Sequence, residues 1–164
     1  MNNKEKTLKF LDDMGIPYKL IEHDVCVTVQ DMEDAGITDH GNVYKNFFVR
    51  DAKGKRHFVI SVPKDKEVDV QGIAKQIGST RLSFGSEDRL MKHLSLVPGQ
   101  VGPLAAINDP AHAVEFIFDQ DIKNETNLGI HPSDNTATIF MSFADLLKVL
   151  KKTGHDFDIQ YVKI

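Results

Sequence analysis

Two runs of β-branched and aromatic residues, 43–51 and 57–62, lie either side of Ala52-Lys53-Gly54-Lys55 near the middle of the chain. That pattern demands a β-hairpin, with Gly54 supplying the positive φ that a tight connection needs. Whatever the fold, it must be built around this hairpin. The flanking segments read as a mixture. Residues 3–14 carry Leu8, Phe10, Leu11 and Met14 near helical spacing, and Gly15 stops them. A strand at 18–23 and a short helix at 28–35 precede the hairpin. A helix at 70–77, a short strand at 82–84 and a helix from the N-cap Ser86 to His93 follow it. Strands are expected at 113–118, 137–141 and 158–164, with a helix at 143–153 capped by Ser142. No regular strand–helix–strand rhythm connects them. The expectation is an α+β fold, one domain over 1–164, with a curved, barrel-like mixed sheet surrounded by helices.

With 164 residues, 41 % of them apolar, the chain can build a real core. No apolar run approaches the ~20 residues of a membrane span. The N-terminal residues lack the apolar segment of a signal peptide. Cys26 is the only cysteine, which excludes an internal disulfide and a thiolate zinc site. It reads as a small, part-buried apolar residue, and a cytoplasmic location is the simplest account. The net charge of −4 is unevenly placed: residues 1–40 carry −5, residues 41–100 carry +5 and residues 101–164 carry −4. Arg50, Lys53, Lys55 and Arg56 cluster around the hairpin turn. Such an island either docks phosphates or merely solubilises a turn.

Three separated segments carry the candidate chemistry. Lys45 opens an apolar strand, where it is either a desolvated donor to an anionic oxygen or a snorkelling edge residue. Gly99-Gln100-Val101-Gly102-Pro103 is either a plain tight turn or a loop whose main-chain N–H groups face an oxyanion. His131 lies between Gly129 and Pro132, where it either faces solvent or helps hold a substrate or a water. The other histidines show no metal-ligand spacing, so no metal is expected. Neither a nucleophile elbow nor a phosphate-binding glycine loop is present.

These segments, in this order, resemble the YbaK/prolyl-tRNA-synthetase-associated editing domains. The free-standing ProX (PrdX-like) branch is the most similar. The specific parts are Lys45-Asn46-Phe47-Phe48-Val49-Arg50-Asp51, the Gly99–Pro103 loop and residues 131–138, and the likeness spans nearly the whole chain. It implies a trans-acting aminoacyl-tRNA deacylase that removes alanine from tRNA(Pro) without a metal, cofactor or covalent intermediate. Cysteine or serine are the alternative aminoacyl groups, and a non-catalytic tRNA-end regulator is the alternative role. By this likeness Lys45, Gly99, Gly102 and His131 carry the reaction. Asn46, Val101, Pro103, Pro132 and Asn135 line the substrate. Arg50, Lys53 and Arg56 are expected to meet the tRNA acceptor end, and prolyl-tRNA synthetase is a second expected partner.

Overall fold

A computed structural model describes residues 1–164. Five α-helices and eight strands occur in the order α1 (Asn3–Asp13), β1 (Lys19–Glu22), α2 (Val29–Asp34), β2 (Asn42–Arg50), β3 (His57–Pro63), α3 (Val70–Gln76), β4 (Ser83–Phe84), α4 (Glu87–Leu94), β5 (Val114–Asp119), β6 (Leu128–Ile130), β7 (Ala137–Met141), α5 (Phe143–Lys152) and β8 (Ile159–Val162). Short 3-10 turns at Ile37–His40, Pro103–Asn108, Gln120–Asn124 and Asp156–Asp158 link them. The helix starts follow from local chemistry. Asn2 and Glu5 form a reciprocal capping box on α1, Thr28 and Asp31 another on α2, and Ser86 and Ser142 cap α4 and α5.

The sheet runs β1-β7-β6-β2-β3-β5-β8, with β4 added to β2. The hairpin pairs β2 with β3 antiparallel from Tyr44↔Pro63 to Arg50↔His57. β5 then joins β3 and β8 joins β5, both parallel. The sheet is mixed and helix-covered, as expected, but it is open, not closed into a barrel. Its outer strands β1 and β8 do not pair. A core of 23 buried residues packs one sheet face (Phe48, Val59, Phe116, Ile139) against α1, α4, α5 and the 103–108 turn through Leu11, Leu94, Leu104 and Leu146. Strand periodicity sends Phe58, Ile60 and Val62 to the other face, against Ile73, Ala74 and Ile77 of α3.

Strand β6 is the element the sequence did not announce. Three residues, one of them glycine, carry no alternation signal. Its pairing with β7 and with the start of β2 makes it a strand. Gly129 is required there: a Cβ would lie 2.7 Å from the Phe140 ring and 3.0 Å from Val43.

One buried histidine reports on the fold's acid tolerance. His57 is 4 % exposed, stacks on Phe48 and lies 4.2 Å from the His93 ring, and Arg89 donates to its Nε2 at 3.0 Å. Burial, then His93 and Arg89, press its pKa down to about 4. The folded state therefore binds this proton less readily than the unfolded chain. Its contribution is complete above pH ~6.5 and is lost between ~6.5 and about 4, worth up to ~3 kcal/mol. Thermal melts should show a midpoint that falls through this window, with a shallower slope in His57→Gln; an unchanged slope would remove His57 from the account.

Candidate functional site

β2 changes neighbour along one edge. Asn42 and Val43 pair with β6, Val49 and Arg50 pair with β4, and residues 44–48 have no strand on that side. The gap opens into a cavity of about 290 Å³ lined by Tyr44, Lys45, Asn46 and Phe47 of β2, by Gly99 and Val101, by His131, and by Val27, Thr28, Val29 and Met32 of the α2 region. It sits at the small end of ligand pockets, which run from ~300 Å³ upward.

Lys45 and Asn46 follow one another in a strand and so point to opposite faces. Lys45 is half-buried and takes part in no ion pair, although Lys4, Lys64 and Lys66, also part-buried, all have carboxylate partners. Asn46 is held firmly. Its Oδ1 accepts from the buried Ser61 hydroxyl at 2.6 Å, and its Nδ2 donates to the Tyr44 carbonyl at 3.3 Å. Because a carbonyl can only accept, the amide orientation is fixed, with one N–H left to donate. In the β2–β3 ladder Val43 bonds towards β3, whereas the Phe48 carbonyl faces β4 and accepts from Gly85. By that alternation the Asn46 main-chain N–H and C=O face the open edge.

His131 directly follows β6. Its Nδ1 lies 3.0 Å from the Ala137 carbonyl. That nitrogen must therefore carry the proton, and Nε2 is left as an acceptor. Burial lowers its pKa, so the ring is neutral at physiological pH. The loop beyond it is rigid: Asp134 accepts from the Thr136 N–H at 2.8 Å and hydroxyl at 2.6 Å, and the Asn135 carbonyl accepts from the Cys26 N–H. Asn135 does not line the cavity but packs on Gly99; Pro132 is buried behind His131.

Val101 faces the cavity, and Pro103 is buried at the start of the 103–108 turn. Gly102 is extended, and a Cβ there would point between Asn46 Nδ2 and the His131 main chain, at 3.6–3.9 Å. Gly99 has φ +91°, and a Cβ would press on Asn135 at 3.3 Å and Val27 at 3.4 Å. Gly99→Ala should thus strain the loop and shift both walls. About a 100-fold loss of turnover is expected with the fold retained, since ~1 Å misplacements cost that much. Rate and thermal midpoint measured together check it; an unchanged rate would show the loop conformation to be dispensable.

The basic hairpin residues are placed elsewhere. Arg56 makes a two-pronged ion pair with Glu115 at 2.9 and 3.0 Å and covers the Phe58 ring, and an Arg50 guanidinium N–H donates to the Asp51 and Ala52 carbonyls. Lys53 is exposed at the turn. Sequence reasoning also missed the α2 wall. The capping box at Thr28 marked a helix, but nothing local said which surface it would face. Cys26 is buried beneath α2, its thiol pKa pushed up by that burial and then by Asp31 and Asp24, so it offers no thiolate. A Thr153–His155–Asp109 chain exists, with His155 Nε2 2.9 Å from Asp109, but it is buried against the core and lines no cavity.

The chain is similar to several known proteins. Residues 23–149 match the family described as the Aminoacyl-tRNA editing domain. The chain is 41 % identical over 157 residues to the prolyl-tRNA editing protein ProX of Acetoanaerobium sticklandii, covering 96 % of each. It is 31 % identical to the prolyl-tRNA synthetase associated domain-containing protein 1 of Danio rerio, over 90 % of this chain and 80 % of that one. A solved structure provisionally described as a trans-editing enzyme for prolyl tRNA synthetase superposes with a TM-score of 0.74 over 99 % of this chain and 96 % of its own, at 16 % identity. That last likeness concerns the fold.

Proposed function

This chain belongs to the aminoacyl-tRNA editing domain family, and from that premise we propose that it hydrolyses alanine from mischarged tRNA(Pro) in trans, using the substrate's own hydroxyl rather than a protein nucleophile or a metal. The observation that carries the reading is the meeting of Lys45, Asn46, Gly99, Val101 and His131 in one small cavity.

The lining supplies binding and polarisation. Lys45 offers an unpaired cation to the phosphate or sugar of the terminal adenosine. The Gly99, Val101 and Gly102 main-chain N–H groups would hold the ester carbonyl and the oxyanion that grows on it; the Gln100 N–H is taken by the Val97 carbonyl at 3.2 Å and Pro103 has none. The spare N–H of Asn46 adds a neutral donor. His131, neutral and with Nε2 free of any partner in the chain, takes a hydrogen bond from the 2′-hydroxyl or from water. Thr28 is the one hydroxyl besides Tyr44 on the walls, and it is occupied as the N-cap acceptor of Asp31 N–H at 3.1 Å, with no base beside it. The lining holds one imidazole and neither a carboxylate nor a thiolate, too few donors for a zinc-type centre.

Alanine follows from size. A synthetase pocket shaped for proline loses only ~1–3 kcal/mol of packing with a smaller side chain, so it cannot refuse alanine strongly. Val27, Val29, Met32 and Val101 offer the apolar wall that would receive the alanine methyl group. Cysteine and serine are the next aminoacyl groups by volume. The task places the protein in the cytoplasm, where prolyl-tRNA synthetase makes the error, and contact with that synthetase would shorten the path to the mischarged end. No helix is long and apolar enough to cross a membrane.

The test is deacylation of Ala-, Ser-, Cys- and Pro-tRNA(Pro) with and without EDTA. The expected result is EDTA-insensitive loss of alanine, at least tenfold faster than the others. Preferential loss of cysteine or serine would reassign the substrate, abolition of hydrolysis by EDTA would remove the metal-free route, and binding without hydrolysis of any ester would make the protein a tRNA-end regulator.

A further inference from the structure

Phe84 is a large aromatic side chain standing in solvent beside the cavity. It is 65 % exposed, yet ordered main chain holds it. Phe84 pairs with Val49 in the β2–β4 ladder, and the next residue, Gly85, donates its N–H to the Phe48 carbonyl at 2.9 Å. Gly85 cannot be larger, because a Cβ would come within 2.3 Å of the Phe48 ring. Being opposite Val49, Phe84 shares the β2 face that carries Lys45 and Phe47. The Phe84 and Phe47 rings are 6.0 Å apart and tilted by 55°, and Phe47 is itself a cavity wall. An aromatic surface thus runs without a break from the ester site into solvent. Phe157, 90 % exposed on the 156–158 turn, shows the contrast: it has no aromatic neighbour and lines no cavity.

A cation lies near this surface: Arg81, two residues before β4, is exposed, whereas Arg50, opposite Ser83, belongs to the other face and donates to the Asp51 and Ala52 carbonyls. Flat apolar faces with an adjacent cation, continuous with a site for the terminal adenosine, suit single-stranded RNA. Successive same-face residues of a strand are roughly 7 Å apart, so Phe84 lies within reach of the nucleotides just before that adenosine.

Resting on the reading of the cavity as the ester site, we infer that Phe47 and Phe84 form a stacking subsite for the nucleobases preceding the terminal adenosine. Arg81 faces the phosphates of those nucleotides. The subsite makes the enzyme prefer an RNA end over an isolated aminoacyl-adenosine.

The chain contains no tryptophan, so Phe84→Trp supplies a unique fluorophore. Titration with uncharged cytidylyl-cytidylyl-adenosine should quench it saturably and less tightly at higher salt, while adenosine alone should not quench it. Phe84→Ala should raise KM for Ala-tRNA(Pro) by about 10- to 100-fold, with kcat within about twofold, and leave hydrolysis of alanyl-adenosine unchanged. No quenching by the trinucleotide would overturn the subsite, whatever else the face binds. Equal losses on tRNA and on alanyl-adenosine would overturn it too, by making Phe84 a support for the cavity. Quenching by the trinucleotide in a protein that hydrolyses no alanyl ester would support the subsite while the proposed reaction fails.

Discussion

Lys45→Ala should lower kcat/KM for Ala-tRNA(Pro) about 100-fold while leaving thermal stability almost unchanged. The two halves of this expectation have one cause. Lys45 is half-buried in the cavity wall and has no partner inside the chain, so its removal strands no carboxylate. Surface-type losses of this sort stay within ~0.5 kcal/mol of stability. With substrate present, the ammonium becomes one end of a charge-assisted hydrogen bond worth ~1.5–3 kcal/mol, and each 1.4 kcal/mol is tenfold. Lys45→Arg should recover only part of the rate, because a wide planar fork does not replace a compact point charge in so small a space. His131→Ala should cost only about tenfold, the value of one neutral hydrogen bond at the upper end of its range, ~1.4 kcal/mol. Single-turnover deacylation beside thermal melts separates the cases. A Lys45→Ala enzyme within twofold of wild type would remove Lys45 from the site; a large drop in melting temperature would make it a structural residue.

The parts of this fold that could be read in the sequence are those whose signals are local. The 43–51 and 57–62 runs are rich in β-branched and aromatic residues and flank a glycine turn, and they became β2 and β3 with the turn between them. Ser86 and Ser142 announced α4 and α5 by chemistry confined to one helical turn. What escaped was set at long range. β6 exists because β2 and β7 pair with it, and Leu128-Gly129-Ile130 alone has no strand signature. The openness of the sheet depends on which strands end up at its edges, β1 and β8, which no single segment encodes. The site divides in the same way. Lys45, Asn46, Gly99, Val101 and His131 were picked out by residue type, by neighbours and by family resemblance, and the fold brings all five to one cavity. Val27, Val29 and Met32 were invisible as a wall, since apolar residues on a short helix look like core until the opposing strand is seen to lack a neighbour. Charge clustering misled in part. The Arg56 charge is met by Glu115, 59 residues on, a partner that only the parallel β3–β5 pairing supplies.

A tRNA whose terminal adenosine lacks its 2′-hydroxyl should be hydrolysed at least 100-fold more slowly than the ribose form. The cavity contains no group able to take a proton from water at neutral pH except His131. Lys45 is a cation, Asn46 and the loop amides are donors, and the Thr28 oxygen is committed to a helix cap. His131 has one nitrogen tied to Ala137 and a pKa already lowered by burial, which makes it a weak base. Positioned proton transfer contributes ~10²–10⁴ to a hydrolysis, so the group that orients the water must be worth that much. The vicinal hydroxyl of the substrate is the remaining candidate, and in the proposed reaction His131 Nε2 accepts its hydrogen bond. Two residues acting through one bond should show overlapping losses. His131→Ala should therefore slow the ribose substrate about tenfold but the 2′-deoxy substrate hardly at all. Full-rate hydrolysis of the 2′-deoxy substrate would place water activation on the protein, and Nε2 of His131 would then have to act as the base despite its depressed basicity. The decisive reading would be His131→Ala on that substrate: a loss larger than on the ribose form would move the proton transfer from the tRNA to the imidazole.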